Sequence, residues 1–132
     1  MTTLEAQLRP GQTTRQPGPS PFPRVLVHVG LDRANTARLD FAATFAERFG
    51  SAVTGAYLMP ALIPSAVAVG DVLPELIIEQ EKLAQADAEK AKRAFLNHTT
   101  RKGLRAEWHI LRGPVVSRVR HLARLADIAI VG

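Results

Sequence analysis

The chain has 132 residues, of which 46% are apolar and 22% are charged, and this composition predicts a single globular domain with one hydrophobic core. It contains no cysteine, which excludes disulfides and thiolate metal sites and is typical of a reducing compartment. No apolar run approaches the roughly 18 residues that cross a bilayer, and residues 1–23 lack the apolar segment of a secretory signal, so we expect a cytoplasmic protein with no membrane contact.

The formal net charge of +5 is unevenly distributed along the chain. Residues 1–89 carry seven Lys and Arg against ten Asp and Glu, a net of −3, whereas residues 90–132 carry ten against two, a net of +8. A basic segment is compatible with a nucleic-acid surface, but no aromatic residues alternate with the basic ones as single-strand binding requires. We interpret the basic residues as solvated helix faces and expect no nucleic-acid partner.

Residues 1–23 contain five of the nine prolines, among Thr, Gln, Gly and Arg. This composition predicts a disordered tail, because the segment has too little apolar surface to offset the entropy of ordering. A Pro-rich docking segment is the alternative, although the spacing of the prolines is not that of a typical ligand. The folded domain is predicted over residues 24–132.

Residues 25–29 form a short Val-rich run, which predicts a strand covered on both faces. Asp32 is placed to cap or nearly cap the helix predicted over residues 34–49, and Gly50 to end it. The residues predicted to face the core from this helix are Leu39, Ala42, Ala43, Ala46 and Phe49, with Phe41 and Phe45 widening the same stripe. A parallel second strand follows over residues 52–59.

The second half of the chain continues the alternation of helix and strand. Residues 60–71 predict an apolar loop that folds over the sheet edge or meets a partner, and residues 73–102 predict a long helix. Its predicted apolar face is Leu76, Ile77, Leu83, Ala84, Ala91, Ala94 and Phe95. Residues 105–111 alternate in polarity, which predicts an edge strand.

A third helix is predicted over residues 114–125, and a continuously apolar fourth strand over residues 127–132. The side chains predicted to point inward from that helix are Val115, Val116, Val119, Leu122, Ala123 and Ala126. The two continuously apolar strands, the first and the fourth, are expected in the middle of the sheet. The whole pattern predicts a doubly wound, open parallel α/β sheet of strand order 3-2-1-4.

Residues that could carry chemistry are few. Each of the four histidines, His28, His98, His109 and His121, lacks a partner at the spacing of metal ligands or of a catalytic triad. No nucleophile elbow, Walker loop or GxGxxG motif is present. We expect no catalytic residues, no metal site and no enzymatic activity, and we interpret His28 as a core residue and Gly55 as a site of close packing.

Taken in order, these segments resemble the universal stress protein family. The resemblance rests on residues 25–29 and the turn after them, residues 34–50 and 52–58, the long charged helix, Gly113-Pro114 and the closing Ala-Asp-Ile-Ala-Ile-Val-Gly of residues 126–132. It covers residues 24–132. It implies a Rossmann-like fold of the adenine nucleotide alpha hydrolase type with five parallel strands, frequent dimerisation, and in many members ATP bound at the carboxyl ends of the first and fourth strands.

The resemblance also implies a candidate site. ATP-binding members have an acidic residue at the end of the first strand, where this chain has Gly30 with Asp32 two residues later. They have a glycine loop after the fourth strand, of which the sequence contains only the first glycine, Gly132. We expect Gly30, Asp32, Leu58, Val131 and Gly132 to frame the crevice, with Leu58 and Val131 offering walls or backbone groups to an adenine.

Two functional hypotheses follow from the resemblance. The first is a non-enzymatic regulatory module for stress responses that acts through dimerisation and has either a degenerate nucleotide site or no bound nucleotide. The alternative is an ATP-binding protein whose phosphate loop lies beyond residue 132. Because the fifth strand is missing from residues 1–132, we expect either a longer or tandem protein or a second copy that supplies a strand. ATP is the candidate cofactor, and a homodimer or a tandem domain is the candidate partner.

Overall fold

The structure, a computed structural model, describes residues 19–59 and 74–132. Within these ranges the helices and strands follow one another in the order β1 (Arg24–Val29), α1 (Asn35–Phe49), β2 (Ala52–Leu58), α2 (Pro74–Arg101), β3 (Ala106–Leu111), α3 (Val115–Ala123) and β4 (Ile128–Ile130). The predicted loop over residues 60–71 and the tail up to residue 18 lie outside the described residues.

The four described strands form one parallel sheet in the order β3-β2-β1-β4, which confirms the predicted fold class and strand order. In the middle of the sheet, Val27 of β1 is aligned with Gly55 of β2 on one side and with Ile130 of β4 on the other. Gly55 is in turn aligned with Trp108 of β3. The order reverses at β1, so ligands are expected at the carboxyl end of this strand.

One face of the sheet carries the hydrophobic core, against α1 and α2. Side chains alternate across a strand, so Val25, Val27 and Val29 all point to this face and are fully buried. The helix side chains that meet them are Leu39, Ala42 and Ala46 of α1 and Ala88, Ala91 and Phe95 of α2. Small alanines at the helix contacts allow both helices to lie close to the sheet.

The contact of α2 with the sheet depends on the glycine in β2. A Cβ built on Gly55 would lie 2.9 Å from two carbons of the Phe95 ring, which is closer than real side chains approach. Phe95 is fully buried and also packs against Trp108, with ring centroids 5.6 Å apart. The prediction that Gly55 is a packing position is confirmed.

The outer phenylalanines of α1 do not face the core as predicted. Phe41 is 60% exposed, and Phe45 and Phe49 are half-buried. At positions 41, 45 and 49 they form a second helical stripe, beside the buried alanines. Phe22 packs on this stripe, 5.5 Å from Phe45 and 5.4 Å from Phe49 between ring centroids. Residues immediately before β1 therefore contact the folded domain.

The apolar face predicted for α2 is correct only in the second half of the helix. Ala91 and Phe95 are buried and Ala84 and Ala94 pack against the core, but Leu76 and Leu83 are 53% and 65% exposed. The buried positions of the helix, 88, 91, 95 and 99, define a stripe that misses residue 83. Only the second half of the helix therefore contributes buried residues to the core.

The opposite face of the sheet is covered much less completely, and within the described residues the helix on this side is α3. Val119, Leu122, Ala123 and Ala126 are half-buried, as their predicted inward orientation requires, and the side chains of Val115 and Val116 are not described. No helix among the described residues is both long and apolar enough to span a membrane.

The fourth strand is short, and among the described strands it pairs only with β1. Its start is held by Asp127, whose carboxylate accepts a hydrogen bond from the Arg24 backbone N–H at 2.8 Å. Ile128 and Ile130 are only half-buried and Ala129 is exposed. The apolar run had predicted a central strand covered on both faces, but in the described sheet β4 stands at the edge because no further strand is paired with it.

Candidate functional site

A cavity of about 280 Å³ opens at the carboxyl end of the sheet, on the face that carries α3. Its floor is made by Leu26 and His28 of β1 and by Ala56 of β2. Its walls are Leu58, Leu111, Val119, Leu122, Val131 and Gly132. Among the described residues that line it, every side chain except the His28 ring is aliphatic, so the cavity suits an apolar group better than a charged one.

The cavity follows from the alternation of side chains along the strands. The face that carries Val25, Val27 and Val29 is filled by two helices, whereas Leu26 and His28 project to the face that the described α3 covers only in part. His28 is aligned with Ala56 of β2, which contributes only a methyl group to the floor. The next residue outward on the same face of β2 is Leu58, aligned with Leu111 of β3.

Three of the five predicted site residues line this cavity together. Leu58 ends β2, and Val131 and Gly132 follow β4, so parallel strands bring them to one edge of the sheet. Val131 is 64% exposed and stands at the rim. This part of the predicted crevice is assembled as the strand order requires.

Gly30 and Asp32, the other two predicted residues, lie beside the cavity rather than in its lining. The carboxylate of Asp32 is held by the guanidinium of Arg38, with 2.8 Å between Oδ1 and Nη2 and 3.2 Å between Oδ2 and Nη1. It also accepts a hydrogen bond from the Ala34 backbone N–H at 3.2 Å. The N-cap of α1 is Ala34, and no side chain makes a capping hydrogen bond there, so Asp32 lies beside the cap rather than capping the helix. The acidic group is thus engaged within the chain.

The absence of a side chain on Gly30 makes this arrangement possible. A Cβ at residue 30 would lie 2.6 Å from Oδ1 of Asp32 and 3.4 Å from Nη2 of Arg38. The backbone N–H of Gly30 donates to the Asn35 side-chain oxygen at 2.9 Å, which fixes the turn. The carboxylate of Asp32 therefore occupies the space that a side chain at position 30 would need.

Arg38 also stabilises the ionised form of this carboxylate. Its hydrogen bonds are the main cause that lowers the pKa of Asp32 from 3.8 to about 2. The side chain of Arg38 is only 5% exposed, whereas that of Asp32 is 49% exposed, so the pair reaches from the interior to the surface. At neutral pH the pair carries no net charge.

His28 lines the cavity rather than filling the core as predicted, although it is hydrogen-bonded. Its ring is half-buried, and its Nδ1 donates to the carbonyl oxygen of Gly132 at 3.2 Å. Its own backbone oxygen accepts a hydrogen bond from Nε of Arg38 at 2.7 Å. His28 therefore links the end of β1 to the residues after β4.

Sequence reasoning missed the most connected residue of the site, Arg38. Its position in the sequence was the signal that could have identified it. One face of α1 is buried and includes Asn35, Arg38, Leu39 and Ala42, so Arg38 places a cation in the apolar stripe of the helix. A charged residue in such a stripe needs a partner, and Asp32 is six residues upstream. Leu111, Val119 and Leu122 were predicted as structural residues and were not assigned to the crevice.

The described part of the chain offers little for metal binding or acid–base chemistry. Among these residues, no group of three or more His, Asp or Glu side chains is arranged to hold a metal ion. His28 is the titratable side chain that lines the cavity, and its Nδ1 already faces a backbone carbonyl. The arrangement can enclose an apolar ring.

The structure is similar to those of solved universal stress proteins. A protein of this family from Burkholderia pseudomallei matches with a TM-score of 0.61 and 17% sequence identity, over 83% of this chain and 80% of that chain. A universal stress protein in complex with cAMP matches with a TM-score of 0.59 and 19% identity, over 86% and 77% of the two chains. The universal stress protein from Archaeoglobus fulgidus in complex with dAMP matches with a TM-score of 0.54 and 20% identity, over 83% and 79%.

No family model and no curated protein matches the sequence. At sequence identities of 17–20%, the similarity to the solved structures establishes the fold. The chain has the universal stress protein fold, as the resemblance of its segments implied.

Proposed function

We propose that this chain is a non-enzymatic regulatory module of the universal stress protein type that binds the adenine ring of a nucleotide. The observation that carries the proposal is the apolar cavity at the point where the strand order reverses, with Leu58, Val131 and Gly132 along its rim. Two proteins of the same fold have been solved with cAMP or dAMP. We place the module in the cytoplasm.

The size of the cavity supports a base rather than a whole nucleotide as its occupant. Sites that enclose a complete small molecule commonly measure about 300–1,000 Å³, and this cavity is slightly smaller, at about 280 Å³. An adenine ring would lie against Leu58 and Val131, with its sugar and phosphates directed out past Gly132. We expect much of the binding free energy to come from burial of the ring.

The chemistry of the lining supports a binding role over catalysis. Hydrolysis or transfer at a phosphate needs a positioned nucleophile, a base or a metal ion. His28 lies on the floor of the cavity, below the rim where phosphates would emerge, and its Nδ1 is occupied by the Gly132 carbonyl. Bound nucleotide would therefore act as a regulatory ligand.

A second candidate is an ATP-binding protein whose phosphate loop follows Gly132. The observation that favours it is the position of Gly132, which lies at the cavity rim within reach of where phosphates would emerge. A loop starting there would provide backbone N–H groups to the phosphates. The candidates differ in ligand preference, because such a loop strengthens ATP binding relative to adenosine.

We also propose that the module acts as a homodimer or in a tandem pair. The support is the outer edge of β4, which has no paired strand within the described residues and is flanked by half-buried Ile128 and Ile130. Such an edge favours pairing with another strand. Light scattering on the purified chain tests the homodimer: a dimer mass supports it, and a monomer at all concentrations contradicts it.

Calorimetric titration with adenosine, AMP, cAMP and ATP tests the ligand. Val131→Trp fills the mouth of the cavity, and Leu83→Trp places the same side chain on α2 at a position of matched exposure, 65% against 64%. We expect Val131→Trp to weaken adenosine binding by at least about tenfold, or about 1.4 kcal/mol, and Leu83→Trp to leave it unchanged. Equal effects of the two substitutions, or no binding by the unmodified chain at millimolar ligand, would contradict the proposal.

A further inference from the structure

Arg38 lies directly behind two residues of the cavity. Its Nε donates to the backbone oxygen of His28, and its Nη1 is 2.8 Å from where a Cβ on Gly132 would stand. Both His28 and Gly132 line the cavity. The buried cation is therefore separated from a bound ligand by one layer of atoms, at the side where the phosphates of a nucleotide would emerge.

The carboxylate of Asp32 compensates this cation from the solvent side. It makes two contacts with the guanidinium, at 2.8 and 3.2 Å, and stays ionised at neutral pH because its pKa is about 2. Asn35 contributes a further oxygen to Nη2 of Arg38 at 3.3 Å, but no charge. Among the described residues, this pair places one positive and one negative group beside the cavity.

We propose that the Asp32–Arg38 pair determines whether the crevice prefers anionic or neutral ligands. In the pair the two charges cancel. The carboxylate alone would weaken the binding of anionic ligands, and the guanidinium alone would strengthen it. The proposal rests on the proposed adenine site and specifies its ligand selectivity. With the pair intact, Asp32 and Arg38 add no net charge beside the apolar cavity, so they do not themselves favour AMP over adenosine. Loss of Asp32 shifts the preference towards AMP, and loss of Arg38 shifts it towards adenosine.

The expected size of the shift follows from electrostatics. A unit charge about 8 Å from a phosphate, at an effective dielectric constant between about 20 and 80, changes affinity by roughly two- to thirtyfold. A partly exposed rim lies towards the lower end of this range. The shift should shrink at high ionic strength, because salt screens exposed charges over about 10 Å at 0.1 M.

A charge series on the full chain tests the proposal. Calorimetric titrations with adenosine and with AMP are compared for the unmodified chain, Asp32→Asn, Arg38→Met and the double variant. The measured quantity is the ratio of the adenosine Kd to the AMP Kd. We expect this ratio to rise by roughly three- to tenfold in Asp32→Asn, to fall by a similar factor in Arg38→Met, and to return to its original value in the double variant.

A purely structural role of the pair gives a different result. Loss of structure weakens both ligands together, so the ratio stays constant in all four proteins, and this outcome overturns the proposal. Circular dichroism checks that each variant is folded. If Arg38→Met does not fold, the test rests on the comparison of Asp32→Asn with the unmodified chain. A higher ratio of the adenosine Kd to the AMP Kd in Asp32→Asn supports the proposal, and an unchanged ratio overturns it.

Failure of the proposed adenine site can be distinguished from failure of the proposed role of the Asp32–Arg38 pair. If the unmodified chain binds neither adenosine nor AMP, the proposed function is wrong, and titration with pyrophosphate then tests the charge of the pair. Binding of pyrophosphate by Asp32→Asn but not by the unmodified chain supports the proposed role of the Asp32–Arg38 pair. Absence of binding by both proteins overturns it.

Discussion

The aromatic ring of Phe95 lies directly against the backbone of Gly55, with no room between them for a methyl group. This one contact couples the second strand to the long helix and fixes how closely α2 approaches the sheet. Trp108 of β3 also packs against this ring, so a shift of the ring would disturb β3. The close packing of α2 against the sheet therefore requires glycine at position 55.

The first prediction concerns this contact. Gly55→Ala should destabilise the chain by about 1–3 kcal/mol, the usual cost of overpacking a well-filled core. Urea denaturation measures the free energy of unfolding. Phe95→Leu removes the ring and should relieve the clash, so the double variant should be more stable than the two separate effects added together. Strict additivity would show that the residues are not in contact.

The second prediction concerns the aromatic stripe of α1. Phe22→Ala removes two ring contacts, with Phe45 and Phe49, and should cost about 1–2 kcal/mol of unfolding free energy. Phe41→Ala is the matched control, because Phe41 is 60% exposed and should cost no more than about 0.5 kcal/mol. If Phe22→Ala has as little effect as Phe41→Ala, the residues before β1 do not contribute to the fold.

The third prediction concerns pH. Arg38 lowers the pKa of Asp32 to about 2, below its ordinary value of 3.8. Between these values the unfolded chain binds more protons than the folded chain, so the stabilisation is complete above about pH 4 and is lost as the pH falls towards 2. The difference in unfolding free energy between the unmodified chain and Asp32→Asn should therefore shrink from pH 4 to pH 2.

Urea denaturation at several pH values between 2 and 6 measures this difference. Glu81 also has a lowered pKa, caused first by its hydrogen bond from Arg112, but this contribution is common to both proteins and cancels in the comparison. A difference that stays constant down to pH 2 would mean that Asp32 does not hold its pairing with Arg38 in solution.

The sheet could be predicted from the sequence because its signals are local. Short apolar runs, a glycine at position 50 and helix-length spacing between strands place the elements, and the contrast between continuously apolar and alternating strands was the basis of the predicted order. The position of Leu58, Val131 and Gly132 at the carboxyl edge follows from that order, and the resemblance to universal stress proteins made these residues site candidates. These parts of the fold and of the candidate site needed no knowledge of packing.

Other features could not be predicted, because they depend on contacts between distant residues. The sequence of α1 contains two apolar stripes, and nothing local indicates that the alanines face the sheet while Phe45 and Phe49 pack against Phe22. The pairing of Asp32 with Arg38 depends on a turn whose shape is set by Asn35 and by the absence of a side chain on Gly30. Likewise, the alternation of side chains along β1 does not indicate how completely the helices cover each face of the sheet.

The central claim is that the cavity on the α3 face binds an adenine ring, and methyl NMR spectra recorded during titration with AMP test it most directly. We expect the methyl signals of Leu58, Leu111, Val119 and Val131 to shift with a single saturating curve, while those of Leu76 and Leu83 on α2 stay in place. Saturation without shifts in the first group, or shifts confined to α2, would contradict the claim.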